Sequence, residues 1–385
     1  MRNTILFILI SLLLLSCQSS NEKKPVSETV ADEQKAEARE DSIELAMAYA
    51  GQKKITLAVT PDVETRMIRA QSDEDAADDP AIWVHPDNPG KSLVFGSNKK
   101  GGLAAYDLSG TEVAYYPIGN INNVDVLYRF PMRDSTITVL GCSNRSSQGV
   151  NLFAIHPTNG RLKNIAADSL LVDSKLIDDI YGFCFATDKA TGKNYAVING
   201  KNGLLQQFEM QARESGVILK LARSVQFDSQ TEGMVADNDL GFLYVGEEAK
   251  GIWKLPISPG QGPEKTFVNM SGDENPNIRY DVEGLTIYKK DGSGFLIASS
   301  QGNFSYAVFE LAGENRYINN FKILDEQQID GVEETDGLDV VADSLSVDFP
   351  NGLLVLQDGF NFEHGQQVPQ NFKYVDWGKV LGLLQ

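Results

Sequence analysis

From residue 61 onward the chain is written in short runs where apolar and polar residues alternate, broken by Gly, Asn and Asp. Residues 281–311, DVEGLTIYKKDGSGFLIASSQGNFSYAVFEL, show the unit most plainly. DVEGLTIY opens on carboxylates and then alternates. KKDGSG carries an Asp-Gly turn, FLIASS is an apolar strand, and QGN turns the chain into SYAVFEL. Successive side chains of a strand face opposite sides, so a period of two punctuated by turn formers predicts three strands joined by hairpins.

The module recurs in degenerate form six times and in constant order. Its opening strands are DDPAIWV at Asp78, NNVDVLY at Asn122, YGFCFA at Tyr181, TEGMVA at Thr231, DVEGLTIY at Asp281 and TDGLDVV at Thr335. Hairpins such as LVFGSNKKGGLAAYDL and YAVINGKNGLLQQFEM follow them. A repeat of about 45 to 60 residues is the period of propeller blades. The fold expected is all-β, a six-bladed β-propeller occupying residues 61–385.

The repeats are chemically uneven. Charged or amide residues stand at the starts of opening strands or in hairpin turns: Asp78, Asp79, Lys99, Lys100, Asn123, Asp125, Arg145, Lys201, Glu232, Glu247, Glu248, Asp281, Glu283, Gln301, Asp336 and Asp358. A propeller gathers equivalent positions of different blades around one axis. A ring of carboxylates with Lys and Arg beside it would be costly if left unpaired. It makes sense as a holder of hard cations with an anionic ligand next to them. One carboxylate beside a Gly, such as Asp336, is more often a turn former. Opposite charges at equivalent places in separate repeats favour binding for the set.

The N-terminus reads differently. Residues 1–16 carry one Arg, an apolar run and a small residue before Cys17, a secretory signal too short for a comfortable membrane span. The ending Leu14-Leu15-Ser16-Cys17 resembles a bacterial lipobox, which implies cleavage before Cys17 and its lipidation. Residues 17–60 are polar and helix-prone, a tether between a membrane and the propeller. The formal net charge of −19 makes nucleic acid and anionic lipid headgroups poor partners. Cys142 and Cys184 lie in neighbouring modules, which leaves a disulfide open.

Several chemistries are excluded. The three histidines, His85, His156 and His364, have no metal-binding spacing, and two of them precede proline. Neither cysteine is followed by Arg at phosphatase spacing, no G-x-x-x-x-G-K-[ST] occurs, and Asp73-Glu74-Asp75 lacks the rest of a calcium loop. Carboxylates and fixed cations remain to carry the chemistry.

The motifs DAADDPAIW, NKKGGLAAY, INNVDV, SNRS, YGF, GKNG, QTEGM, EE before IWK, DVEGLTIY, ETDGLDV, QDG and QNFKYVDW resemble, in order from about residue 61 to 385, those of the β-propeller phytases. The resemblance implies a phosphoric monoester hydrolase that removes phosphate from phytate or lower inositol phosphates with several Ca²⁺ ions, by water that the metal activates. It assigns catalytic-calcium ligation to Tyr181, Glu232, Glu248 and Glu283, with Glu247 as a possible substitute for its neighbour. Lys99, Lys100, Arg145 and Lys201 match phosphate-holding cations. Asp78, Asp79, Asp330, Asp336 and Asp358 match ligands of further calcium, and Asp281 and Gln301 join the metal set. Ala249-Lys250 and Phe360 depart from the family pattern, which bears on the number and affinity of calcium ions. The expected protein is a monomer, exported and anchored through Cys17. Two alternatives are a calcium-dependent propeller lactonase or phosphotriesterase, which has little use for Lys99, Arg145 and Lys201, and a non-catalytic surface binding propeller.

Overall fold

The computed structural model describes residue 39 and residues 42–384. Cys17 and the leader lie outside the described residues. Residues from Leu45 onward make one compact unit, and the described residues before it belong to a separate one. Among the described residues no helix is long and apolar enough to cross a membrane.

Six antiparallel sheets stand in a ring. Their inner strands are Ala77–Trp83, Ile121–Met132, Ile180–Asp188, Thr231–Asp237, Val282–Lys290 and Leu338–Val341, each packed against the next and the last against the first. The expectation of a six-bladed β-propeller holds. In the fifth blade, Val282–Lys290, Ser293–Ser300 and Ser305–Glu310 pair in sequence order, as the alternation of 281–311 predicts, and Tyr317–Ile323 follows as a fourth strand. Leu57–Val59 adds a fifth strand there, parallel to Tyr317–Ile323.

The sixth blade is closed from the other end of the chain. Val63–Glu64 pairs antiparallel with Asn371–Asp376, which pairs with Leu353–Asp358 and through it with Leu338–Val341. Asp62 pins this seam, accepting from the Asp376 amide at 2.8 Å and from Lys379 at 2.7 Å.

Apolar side chains fill the spaces between neighbouring blades. Trp377 stacks on Tyr288 with ring centroids 4.8 Å apart, fixing the C-terminal helix Trp377–Leu383 between the fifth and sixth blades. Trp83 is buried between the first two blades. Trp253, half-buried, spends its indole N–H on Glu247. Cys142 and Cys184 are buried free thiols, and no disulfide joins them.

One local device repeats around the axis. In five inner strands the pairing slips by one residue, across 78–79, 122–123, 181–182, 232–233 and 283–284, so two residues oppose one on the next strand. A bulge re-aims side chains and leaves one amide without its ladder partner. Ser97 Oγ takes the Asp79 amide at 2.8 Å, Ser143 Oγ the Asn123 amide at 3.1 Å, and Asn199 Oδ1 the Gly182 amide at 2.7 Å.

Candidate active site

The bulges put one residue per blade at the same level of the axis: Asp78, Asn122, Tyr181, Glu232 and Glu283, with Asp336 in the corresponding place of the sixth blade. The adjacent hairpin ends make a second ring. The amides of Lys99, Arg145, Lys201, Glu248 and Gln301 each donate to the carbonyl two residues before the bulge residue of their own blade, at 2.8 to 3.3 Å. Equivalent backbone positions therefore carry the cations and the acids, and sequence separations of well over 200 residues, 237 between Lys99 and Asp336, collapse to one site.

Two carboxylate triplets result, Asp78–Glu232–Asp336 and Glu232–Glu248–Glu283, with the oxygens of each within 4.8 Å of one another. They share Glu232, so three plus three less one gives five buried carboxylates in one cluster. Burial, then the charge of Asp336, pushes Asp78, Glu232 and Glu283 far above the usual carboxylate range. Glu248 and Asp336 are raised by burial as well, and Asp281 adds its charge against Glu248 and Glu283. The Tyr181 hydroxyl is held strongly protonated, first by the Glu232 charge and then by burial.

The donor set suits a hard cation. Both oxygens of Asp78, one of Glu248 and one of Glu283 are buried and make no hydrogen bond, Asp78 having only the longer ion-pair contact to Lys99. Such atoms are rare in folded proteins, and oxygens converging in this way form the ligand set that Ca²⁺ or another hard divalent ion takes.

Cations flank the cluster on one side. Lys99 Nζ lies 2.9 Å from Asp75, 3.4 Å from Asp78 and 3.3 Å from Asp336. Arg145 forks onto Asp179 through Nη2 at 2.7 Å and Nε at 3.3 Å. Lys201 Nζ sits 4.7 Å from the centre of the Tyr181 ring, and the Arg145 guanidinium 5.7 Å from it. Lys99, Lys100 and Arg145 line an open cleft of about 360 Å³ with Asp75, Asn120, Ser146 and Asp179.

The structure thus brings together Tyr181, Glu232, Glu248, Glu283, Asp78, Asp336, Lys99, Lys100, Arg145 and Lys201. Asp281 flanks them, and Gln301 holds the hairpin position of the fifth blade. Four expected metal residues lie elsewhere. Glu247 and Asp358 end their strands one position before the ring, so the period of two turns their side chains away from it. Glu247 accepts from Ser229 Oγ at 2.7 Å and Trp253 Nε1 at 2.8 Å, and pairs with Lys250. Burial would raise its carboxyl, but these donors outweigh it and hold it below the usual range. Asp358 and Asp330 meet with Glu64 around the buried Lys373 ammonium, which is 3.3 Å from Asp358 and 2.7 Å from Glu64. Asp79, the second residue of its bulge, points down the axis and accepts from the Val124 amide of the next blade at 3.0 Å. Below it, Asp125 accepts from Phe185 and Asp339 from Ile82, each joining one inner strand to its neighbour. These carboxylates line a central cavity of about 50 Å³.

Sequence reasoning missed Asn122, which donates to Glu232 Oε1 at 2.7 Å across the axis. Its bulge position, shared with Asp78 and Glu232, was the available signal. It also missed the bulge glycines. A Cβ on Gly182 would meet the Glu232 carbonyl oxygen at 2.1 Å, and one on Gly233 the Glu283 oxygen at 2.0 Å. On Gly284 it would meet the Asp336 oxygen at 2.7 Å. Only glycine lets these strands close on one another.

Comparison with known proteins agrees with this geometry. The sequence profile of the Phytase family matches residues 36–385. A 3-phytase of Bacillus subtilis (strain 168) is 42% identical over 326 residues, covering 84% of this chain and 84% of that protein.

Proposed function

We propose, from the premise that this chain belongs to the Phytase family, that it is a calcium-dependent hydrolase of phytate phosphomonoesters. The chain is a phosphoric monoester hydrolase, and phytate is its substrate. The observation that carries the calcium reading is the cluster of buried carboxylates with unpartnered oxygens standing directly beside Lys99, Arg145 and Lys201. A carboxylate cluster alone would repel a polyphosphate. A cation-lined cleft alone would hold phosphate without activating water.

In this reading Glu232, Glu248, Glu283, Asp78 and Asp336 hold the metal. Bound there, Ca²⁺ would supply Lewis-acid polarisation of a phosphoryl oxygen and acidify water. Lys99, Lys100, Arg145 and Lys201 give charge-assisted hydrogen bonds to phosphate oxygens, and Arg145, held by Asp179 through Nη2 and Nε, has its Nη1 left to donate. Tyr181, packed against Lys201 and Arg145, stands where the carboxylates meet the cations and completes the ligand set that the resemblance assigns to the catalytic metal. The lack of a histidine or cysteine phosphatase motif in the sequence is in keeping with direct attack by water. Asn122 keeps Glu232 aimed at the axis.

Export and anchoring belong to the same proposal. The support is the leader and the Leu14–Cys17 sequence, and the enzyme would act as a single chain tethered to a bacterial membrane through Cys17.

The test is phosphate release from phytate by the purified chain, with calcium and with excess chelator. Release that calcium restores after chelation supports the reading. Release unaffected by chelator removes calcium from it, and no release from folded protein at any calcium level overturns it.

A further inference from the structure

We infer that Lys99 is a built-in counter-cation of the carboxylate cluster: its ammonium and a divalent cation take turns on Asp78 and Asp336, so that cation binding delivers Lys99 to the phosphate cleft. The inference rests on the reading that the cluster takes a divalent cation, and it adds an order of events and a residue that couples the two halves of the site.

The geometry is specific. Asp78, Glu232 and Asp336 present oxygens within 4.8 Å of one another. A point at the centre of a triangle with sides of 4.8 Å lies about 2.8 Å from each corner, so a slight contraction gives the roughly 2.3–2.6 Å bonds of Ca²⁺. Lys99 Nζ lies 3.4 and 3.3 Å from two of those three residues. An ammonium so close to the same carboxylates competes with a divalent ion for them and repels it through a buried, weakly screened space. Lys99 pairs at once with Asp78, Asp336 and Asp75, so the competition is between two cations.

Lys99 also has somewhere to go. Its side chain is a flexible stem, and it lines the same 360 Å³ cleft as Lys100 and Arg145. Its third partner, Asp75, has a side chain that is 69% exposed, so leaving Asp75 strands no buried charge. A divalent ion on Asp78 and Asp336 replaces the ammonium's charge there, and the released ammonium meets the substrate's phosphates. Binding linkage is reciprocal, so phosphate that draws Lys99 outward tightens the cation site as well.

The experiment compares calcium binding by calorimetry, without substrate, for the full chain, Lys99→Met and Lys100→Met. Lys100 is the control, since it contributes the same charge to the cleft without sitting on the carboxylates. Lys99→Met is expected to bind calcium about 10-fold more tightly than the natural chain, within the usual range of coupled sites. Lys100→Met should shift it less than about 3-fold. A second measurement needs no variant: acetylation of Lys99, followed by mass spectrometry, should rise when calcium is added. Equal shifts in both variants, weaker binding by Lys99→Met, or Lys99 labelling that stays flat or falls with calcium would each overturn the inference while leaving the calcium reading intact. Failure of the natural chain to bind calcium would overturn both.

Discussion

The bulge glycines make the tightest quantitative demand on the site, and Gly233→Ala tests it. An added Cβ would stand 2.0 Å from the Glu283 carbonyl oxygen, where ordinary contact begins at 3.4 Å. The shortfall is 3.4 − 2.0 = 1.4 Å. The neighbouring carbonyl carbon at 2.9 Å and the Gly284 Cα at 3.0 Å are backbone too, so no side-chain rotation relieves the clash. The two inner strands must separate by about an ångström, at an overpacking cost of about 3 kcal/mol. Glu232 and Glu283, on either side of that contact, move apart with them. Misplacement of reacting groups by about 1 Å costs roughly 100-fold in rate. Urea denaturation and phosphate release from phytate measure the two effects. Gly260→Ala, in the turn Pro259–Gln261 with nothing within 4 Å of its Cβ, is the control and should stay within about 0.5 kcal/mol of the natural chain. If Gly233→Ala matched the natural chain in both stability and rate, the idea that glycine sets the spacing of the carboxylates would be wrong.

Glu232→Gln keeps an acceptor for Asn122 while removing the charge common to both triplets. Phosphate release should fall about 100-fold or more. Calcium binding followed by calorimetry should weaken as well, and unchanged binding would contradict the account of the cluster. The axial carboxylates Asp125 and Asp339 are pushed by burial up to about 7 and about 6. The folded chain holds these protons more tightly than the unfolded one, so the stability they add is complete below about pH 4 and is lost as pH rises through 6 and 7. Denaturant stability in chelator should therefore fall between pH 5 and pH 8, and a rise over that interval would refute the assignment. Lys373→Met leaves Asp358 buried without its cation and should cost roughly 3–5 kcal/mol by denaturation in chelator.

Blade number and order were legible because period-two alternation and turn formers act locally and repeat six times. The ring of charges was legible because equivalent repeats must meet at an axis. Which of two adjacent candidates faces that axis was not. Glu247 ends its strand and Glu248 opens the turn after it, so only where the strand stops in its pairing with Thr231–Asp237 decides between them. Asn122 and Asn123 posed the same choice, and the one not singled out touches Glu232. Asp358 and Asp330 lie close to a charge partner, as expected of buried acids. That partner is Lys373, some 15 residues on from Asp358 in a strand whose pattern gives no sign of where its ammonium ends. Val63–Glu64 is a strand of two residues, too short to carry a pattern of its own.

That short strand governs when the enzyme comes into being. Glu64 and Lys373, which meet across the seam, are 309 residues apart, nearly the full length of the folded unit. A ribosome, or an export channel, releases the first of them long before the second exists. Until the last strand arrives the circle has a gap, and the acids of the first and sixth blades, Asp78 and Asp336, have no axis to share. Paying the loop-closure entropy of so long a span comes last. Catalytic competence therefore waits for Asn371–Asp376, and a chain that stopped short of that strand would carry almost every site residue and no site.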